Sequence, residues 1–283
     1  MNWKNLIDAD SLRAGLGAPD LAVVDCRFDL MDAAAGRRQY AGGHIPGAVH
    51  ADLDRDLSAP VEPWTGRHPL PAAGTFAARM GELGIGDESR VVAYDASNGS
   101  LAARLWWLLR WVGHERVVVL DGGLRAWTAA GGALEPGEAA PRPRRLHARP
   151  DPAVALGAAE LERLAADPSH LIVDARARER FEGAVEPIDP VAGHVPGAVS
   201  HPFSANLGSD DRFLSADELR ARWLARLGGR PPEALVAMCG SGVTACHNLL
   251  ALEIAGLPGA RLYPGSWSEW IRDPRRPVAR GAG

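Results

Sequence analysis

The sequence is poor in the residues that build disulfide frameworks, membrane spans and basic surfaces. It has three cysteines, Cys26, Cys239 and Cys246, and an odd count without a pairing pattern argues against a disulfide framework. No apolar run reaches the roughly 18 residues that a membrane span needs, and the N-terminus lacks the apolar stretch of a signal peptide. Lys4 is the only lysine, and no basic block indicates binding to nucleic acid or to a membrane. A cytoplasmic protein with free thiols is therefore expected.

What the chain does contain is enough apolar sequence for two domains of ordinary size. Its 283 residues are 46% hydrophobic and 23% charged, and the formal net charge is −4. Because domains most often contain roughly 100 to 150 residues, this length predicts about two of them.

The chain carries one pattern twice. Four segments of the first half recur in the same order in the second half, about 142 to 150 residues later. The matching pairs are Leu21–Arg27 with His170–Arg176, Gly43–Val49 with Gly193–Val199, Val91–Asp95 with Leu235–Cys239, and Asp121–Trp127 with Tyr263–Trp270. Solenoid repeats have periods of about 20–50 residues, so a repeat this long indicates a duplicated domain.

Each copy alternates strand-like and helix-like segments. Short apolar runs such as Val91–Tyr94 and Val117–Leu120 predict buried parallel strands. Residues Leu101–Val112 are predicted as a helix that ends at Gly113, and Ser215–Glu218 is a capping box that begins another helix. This alternation predicts an α/β fold in which each domain is a mostly parallel sheet flanked by helices on both faces.

Composition also marks the boundary between the copies. Leu134–Arg145 is rich in proline and glycine, has no periodicity, and is predicted as a linker. We therefore expect a first domain over residues 1–135, a linker over 136–151 and a second domain over 152–283. A further proline- and glycine-rich stretch, Ser58–Gly74, is expected to form a long surface loop of the first domain.

Cys239 stands where an apolar run ends and a glycine-containing loop begins. A helix is predicted after this loop from Ala245 to Ala255, ended by Gly256. Loop amides and the free N–H groups of a helix start favour a thiolate, so this context predicts a nucleophilic cysteine. A buried structural cysteine is the alternative interpretation. The first copy has Asp95 at the matching position, so thiol chemistry is expected in the second domain alone.

Together these motifs resemble the tandem rhodanese-type sulfurtransferases, over nearly the whole chain. The resemblance rests on the duplication, the cysteine loop, the His-Ile/Val-Pro-Gly-Ala motifs that begin at His44 and His194, and the segments Asp121–Leu124 and Gly265–Trp270. It implies two tandem rhodanese-like domains, of which the first is non-catalytic. Within the family, the loop Cys239–Thr244 is most similar to that of the 3-mercaptopyruvate sulfurtransferases.

The resemblance also implies a reaction. The Cys239 thiolate is expected to take a sulfane sulfur from a small donor, 3-mercaptopyruvate, and to pass it from a persulfide to a thiol, cyanide or thioredoxin-like acceptor. No metal and no organic cofactor is implied. Loop amides would stabilise the outer sulfur, and Ser241 would polarise or protonate the donor, unless its hydroxyl only bonds its own backbone. The remaining loop residues are Gly240, Gly242, Val243 and Thr244, and Thr244 is also a candidate helix cap.

Further roles follow from the same resemblance. Arg180 matches an arginine that binds the donor carboxylate, for which a guanidinium is well suited, although a surface salt bridge is the alternative. His44 matches a histidine near the serine, with Asp32 as the candidate aspartate that orients it. Its counterpart His194 favours the other interpretation, a histidine that holds a turn. Ile188 stands where mercaptopyruvate enzymes often carry a second arginine, which leaves the donor open.

Other function classes share parts of this pattern. Cysteine-based phosphatases and arsenate reductases carry an arginine six residues after the cysteine, where this chain has Ala245. Non-catalytic rhodanese-like binding modules usually lack the cysteine, which this chain retains. The sequence therefore favours an enzyme, and the nearest alternative is a thiosulfate:cyanide sulfurtransferase that uses the same Cys239 persulfide.

Overall fold

The computed structural model describes residues 4–282, which divide into two compact units. Unit 1 comprises the described residues up to Ala59 together with Pro71–Asp151 and Gly208–Phe213. Unit 2 comprises Pro60–Leu70, Pro152–Leu207 and the described residues from Leu214 onward. Among the helices of residues 4–282, none is both long and apolar enough to cross a lipid bilayer.

The strands of unit 1 form a parallel sheet. They are β1 (Leu6–Ile7), β2 (Leu21–Asp25), β3 (Val49–His50), β4 (Arg90–Tyr94) and β5 (Val117–Leu120). Their order across the sheet is β1-β5-β4-β2-β3, and the register pairs Val23 with Val92 and Val92 with Val118. The central strands are runs of buried valines, as expected where both faces of a parallel sheet are covered.

The helices of unit 1 alternate with these strands. They are α1 (Ala9–Gly15), α2 (Ala35–Gly42), α3 (Ala73–Glu82), α4 (Ala102–Trp111) and α5 (Gly123–Ala129). One core cluster joins the sheet to the helices that flank it, with Leu12, Val92 and Trp127 among its buried members. Helix α4 is buried on nearly all sides, which fits a sequence that is apolar apart from Arg104 and Arg110.

Unit 2 repeats the plan with a smaller parallel sheet. Its strands are β6 (Leu171–Asp174), β7 (Val199–Ser200), β8 (Leu235–Met238) and β9 (Arg261–Leu262), in the order β7-β6-β8-β9. Its helices are α6 (Ala158–Ala165), α7 (Arg178–Phe181), α8 (Ala216–Leu227), α9 (Ala245–Ile254) and α10 (Ser266–Trp270). The interior strand β8 is fully buried, so the residue that follows it emerges at the carboxyl edge of the sheet, where ligands of such folds bind.

Several local predictions are confirmed. The helix predicted over Leu101–Val112 is α4, and the one predicted over Ala245–Ala255 is α9. The capping box at the start of α8 is complete, because the Glu218 N–H donates to Ser215 Oγ at 3.3 Å and the Ser215 N–H donates to the Glu218 carboxylate at 3.1 Å. Hydrophobic pattern and cap chemistry were therefore sufficient for these elements.

The division of the chain is less simple than one linker between two domains. The predicted linker, residues 136–151, belongs to unit 1 and is tied to it by backbone hydrogen bonds such as that from Arg144 N–H to the Gly81 carbonyl, at 2.8 Å. The segment Pro60–Leu70 belongs to unit 2, although it lies in the first copy of the sequence pattern. The segment has neither helix nor strand, as expected of a loop, but it belongs to the second unit rather than the first.

Candidate active site

Cys239 is the residue at which β8 passes into the loop. Its side chain is 2% exposed, and the loop runs to Thr244, with α9 beginning at Ala245. This is the strand–loop–helix arrangement expected from the sequence. A thiol at a helix start is positioned to react with a small ligand that enters the loop.

Helix α10 holds the loop in place from its own first turn. The Cys239 N–H donates to Ser266 Oγ at 3.0 Å, and the Cys239 carbonyl accepts from the Trp267 N–H at 3.0 Å. Ser266 is buried and has a φ of 53°, a left-handed conformation that is uncommon for a residue other than glycine. Such conformations persist where the surroundings require them, and here Ser266 anchors the backbone of the nucleophile.

Gly242 brings the loop backbone onto the sulfur. Its N–H donates to Cys239 Sγ at 3.1 Å, so an amide dipole stabilises negative charge that develops on the thiol. Gly242 has a φ of +78°, and a Cβ at this position would lie 2.2 Å from the Pro264 carbonyl oxygen. A residue with a side chain therefore cannot take this place without displacing the loop.

Ser241 forms a buried hydrogen bond with a histidine that the sequence interpretation missed. Ser241 Oγ lies 2.7 Å from Nδ1 of His68, and the two residues are 7% and 4% exposed. His68 belongs to the segment Pro60–Leu70 of unit 2. The hydroxyl two residues after the nucleophile is thus hydrogen-bonded to an imidazole, a side chain that can accept or donate a proton.

Two guanidinium groups converge on the same loop. A Cβ at Gly240 would lie 2.8 Å from Nη2 of Arg67 and 3.6 Å from Nη2 of Arg180. Nη1 of Arg67 and Nη2 of Arg180 both donate to the Asp189 carboxylate, the latter at 3.1 Å. Glu186 accepts further hydrogen bonds from Arg180, the shortest at 2.8 Å. We call Arg67 and Arg180 the guanidinium clamp.

The two carboxyl groups of the clamp differ in their electrostatics. Burial raises the pKa of Asp189, and the Glu186 charge adds to this effect, whereas Arg67 and Arg180 act against it. Burial also acts to raise the pKa of Glu186, but the hydrogen bonds from Arg180 and from two backbone N–H groups outweigh it and lower that pKa. Glu186 is therefore the stronger counter-ion of Arg180, and Asp189 is the weaker ligand shared by both cations.

The matching loop of unit 1 binds a carboxylate through its backbone N–H groups. Asp95 replaces the cysteine there, and its carboxylate accepts four backbone N–H groups at 2.8 to 3.2 Å, those of Ser97, Gly99, Leu101 and Ala102. The strand–loop–helix turn of this fold is therefore an anion cradle, and in unit 1 the chain's own carboxylate fills it. That the first copy is non-catalytic stays a prediction.

The predicted pairing of His44 with Ser241 is not the one that the structure shows. His44 lies in unit 1, where its Nδ1 is 2.9 Å from the Tyr40 carbonyl oxygen and its Nε2 is 3.3 Å from the Glu135 carboxylate. In unit 2, His194 holds a turn in the same way through the Phe181 carbonyl. The partner of Ser241 is His68, and the interpretation of His44 as a turn-holding residue fits its contacts.

Two smaller expectations also need correction. Asp32, the candidate for orienting His44, is half-exposed and forms an ion pair with Arg38 instead. Thr244 stands at the N-cap position of α9, but its side chain makes no capping hydrogen bond.

Ile188 is 37% exposed beside the clamp, so the position where the resemblance suggested a second cation is apolar in this chain.

Comparison with known proteins assigns the chain to a family. Residues 8–130 and 157–273 each match the Rhodanese-like domain. The chain belongs to the rhodanese family. A Pseudomonas aeruginosa protein named "Probable 3-mercaptopyruvate sulfurtransferase" is 54% identical over 99% of this chain and 100% of its own length. The thiosulfate sulfurtransferase of Bos taurus is 34% identical, covering 97% of this chain and 94% of its own.

A solved rhodanese structure agrees with this assignment. The SseA protein of Escherichia coli, described as a 3-mercaptopyruvate sulfotransferase, superposes with a TM-score of 0.81 and 33% identity over 95% of this chain and 100% of that one. The prediction of a tandem rhodanese-type sulfurtransferase with two α/β domains is thereby confirmed. The chain is accordingly an enzyme of the sulfurtransferase class.

Proposed function

We propose that this rhodanese transfers the sulfur of 3-mercaptopyruvate through a persulfide on Cys239. The observation that carries the choice of donor is the 2.7 Å contact between Ser241 Oγ and His68 Nδ1, two residues from the nucleophile. Mercaptopyruvate needs a proton when its carbon–sulfur bond breaks, whereas thiosulfate releases sulfite, which does not. A buried serine–histidine pair supplies that proton.

In the first step, the Cys239 thiolate attacks the sulfur of the donor. A sulfur–sulfur bond forms, the carbon–sulfur bond breaks, and the electron pair stays on carbon as the enolate of pyruvate. The Ser241–His68 pair delivers a proton to this enolate, and pyruvate leaves. The Gly242 N–H, which contacts Sγ at 3.1 Å, stabilises the charge on sulfur as the persulfide forms.

The guanidinium clamp accounts for recognition of the donor. The clamp lies next to Gly240, where the carboxylate of a bound donor would contact both guanidinium groups. The sequence pointed to Arg180, whereas Arg67 was missed. Guanidinium groups bind carboxylates through paired hydrogen bonds, so the clamp orients the donor with its sulfur toward Cys239.

In the second step, the outer sulfur passes to a nucleophile. A thiol, cyanide or a reduced thioredoxin-like protein attacks the persulfide, takes the sulfur and restores the Cys239 thiolate. The products are a new persulfide or thiocyanate. This ping-pong sequence uses protein groups alone.

The alternative is a thiosulfate:cyanide sulfurtransferase with the same nucleophile. Steady-state sulfur transfer with 3-mercaptopyruvate and with thiosulfate, measured side by side, separates the two. We expect kcat/KM at least tenfold higher for mercaptopyruvate, a difference of about 1.4 kcal/mol. A preference for thiosulfate would contradict the proposed donor, and activity that survives in Cys239→Ala would contradict the persulfide mechanism.

A further inference from the structure

Asp189 occupies the centre of the guanidinium clamp. One carboxylate oxygen accepts from Arg67 Nη1 and the other accepts from Arg180 Nη2 at 3.1 Å. Its side chain is 3% exposed, so this carboxylate is buried between the two arginines rather than on the protein surface. It occupies donors on the two cations that a bound anion would otherwise use.

The clamp and its carboxylates balance in charge. Arg67 and Arg180 contribute two positive charges, and Asp189 and Glu186 contribute two negative charges, all within hydrogen-bonded contact. Arg176 also lies 3.4 Å from the Glu186 carboxylate, but it is paired with Asp174, so the wider network balances as well. Nε of Arg67 is buried and has no hydrogen-bond partner. The clamp therefore retains an unused donor for a ligand, but it offers no excess of positive charge to an incoming anion.

The charge on Asp189 acts differently on a monoanion and on a dianion. The repulsion between a fixed carboxylate and a ligand rises with the ligand's charge, and it is weakly screened where water is largely excluded. Mercaptopyruvate carries one negative charge and thiosulfate carries two. A buried carboxylate in the clamp therefore penalises thiosulfate more than mercaptopyruvate.

We propose that Asp189 is a specificity-determining residue that selects monoanionic over dianionic sulfur donors by neutralising the guanidinium clamp. This inference rests on the proposed function, because it concerns the donor that reaches Cys239. Asp189 acts through the two arginines and does not itself contact the reacting sulfur.

The test is the ratio of kcat/KM for thiosulfate to that for mercaptopyruvate. In Asp189→Asn, which preserves size and loses the charge, we expect this ratio to rise at least tenfold, and sulfite to inhibit at least tenfold more strongly against mercaptopyruvate. Asp189→Glu keeps the charge and should stay within threefold of the wild-type ratio. Asp217→Asn, which removes one negative charge from the exposed first turn of α8, is the matched control and should leave the ratio unchanged.

Different results would contradict the role of Asp189 and the proposed function. A ratio in Asp189→Asn within twofold of wild type, or an equal change in Asp189→Glu, would overturn the selection by charge while leaving the persulfide reaction intact. If circular dichroism shows that Asp189→Asn does not fold, Ile188→Lys adds a cation at the exposed neighbouring position, and an unchanged ratio there overturns the inference. Wild-type protein that transfers sulfur from neither donor would instead refute the proposed function.

Discussion

Replacing Ser241 with alanine removes the proposed proton donor and leaves the nucleophile in place. The lost hydroxyl lies 2.7 Å from His68 Nδ1 in a site where both residues are nearly inaccessible, so water cannot readily replace it. General acid–base groups typically contribute about 10²–10⁴-fold to a rate. We expect kcat with mercaptopyruvate to fall about 100- to 1,000-fold, which corresponds to roughly 3–4 kcal/mol.

The same change should barely affect thiosulfate. Sulfite leaves as a stable anion and needs no proton, so kcat with thiosulfate should stay within about threefold of wild type. Single-turnover measurement of persulfide formation with each donor tests this directly, because it isolates the first step from the acceptor reaction. The donor-dependent difference is therefore the quantity to measure, rather than either rate alone.

His68→Gln supplies the second corner of a double-mutant cycle. Because Ser241 and His68 act as one unit, the double variant should lose about as much as either single variant. Equal losses with mercaptopyruvate and thiosulfate in Ser241→Ala would refute the reasoning, since the serine would then only shape the loop. Additive losses would show that the two residues act independently.

The remaining predictions concern the loop, a helix start and a buried histidine. Gly242→Ala should abolish persulfide formation with either donor in mass spectrometry, because its Cβ would lie 2.2 Å from the Pro264 carbonyl oxygen. Ser215→Ala should lower the free energy of unfolding by about 1 kcal/mol in urea titration and leave sulfur transfer unchanged, since it removes only the cap of α8. Burial lowers the pKa of His201 from 6.5 to about 4 in the folded protein. As the pH falls, the unfolded chain therefore binds this proton before the folded protein does. The free energy of unfolding should decrease between about pH 6.5 and pH 4, by up to about 1.4 kcal/mol per pH unit. Thermal melting across that range checks this, and His201→Gln should flatten the profile.

Secondary structure and the position of the nucleophile could be predicted from the sequence wherever the contacts that determine them are local. The capping box at Ser215, the valine runs of the central strands and the glycine-containing turn after Cys239 each depend on neighbours a few residues away. Those short-range rules predict secondary structure and the position of the nucleophile well. The duplicated pattern then extended them to a two-domain α/β fold.

The partner of Ser241 could not be found in this way. His68 is separated from Ser241 by 173 residues, and it lies in a proline- and glycine-rich stretch that has no periodicity. The family resemblance pointed instead to His44, whereas its duplicated counterpart His194 correctly favoured a histidine that holds a turn. One signal was available: long segments without secondary structure inside a compact domain are usually functional, and Arg67 and His68 stand together in such a segment.

The membership of Pro60–Leu70 in unit 2 bears on how the two halves of the chain depend on each other. The copy that carries Asp95 in place of a cysteine also contains His68 and Arg67, which lie in unit 2 with Cys239. A chain cut after Asp151 would yield a second half with Cys239 and Ser241 but without His68 or Arg67. The candidate site of unit 2 is therefore divided between both halves of the sequence, and the second half alone would lack the partner of Ser241 and one of the two clamp arginines.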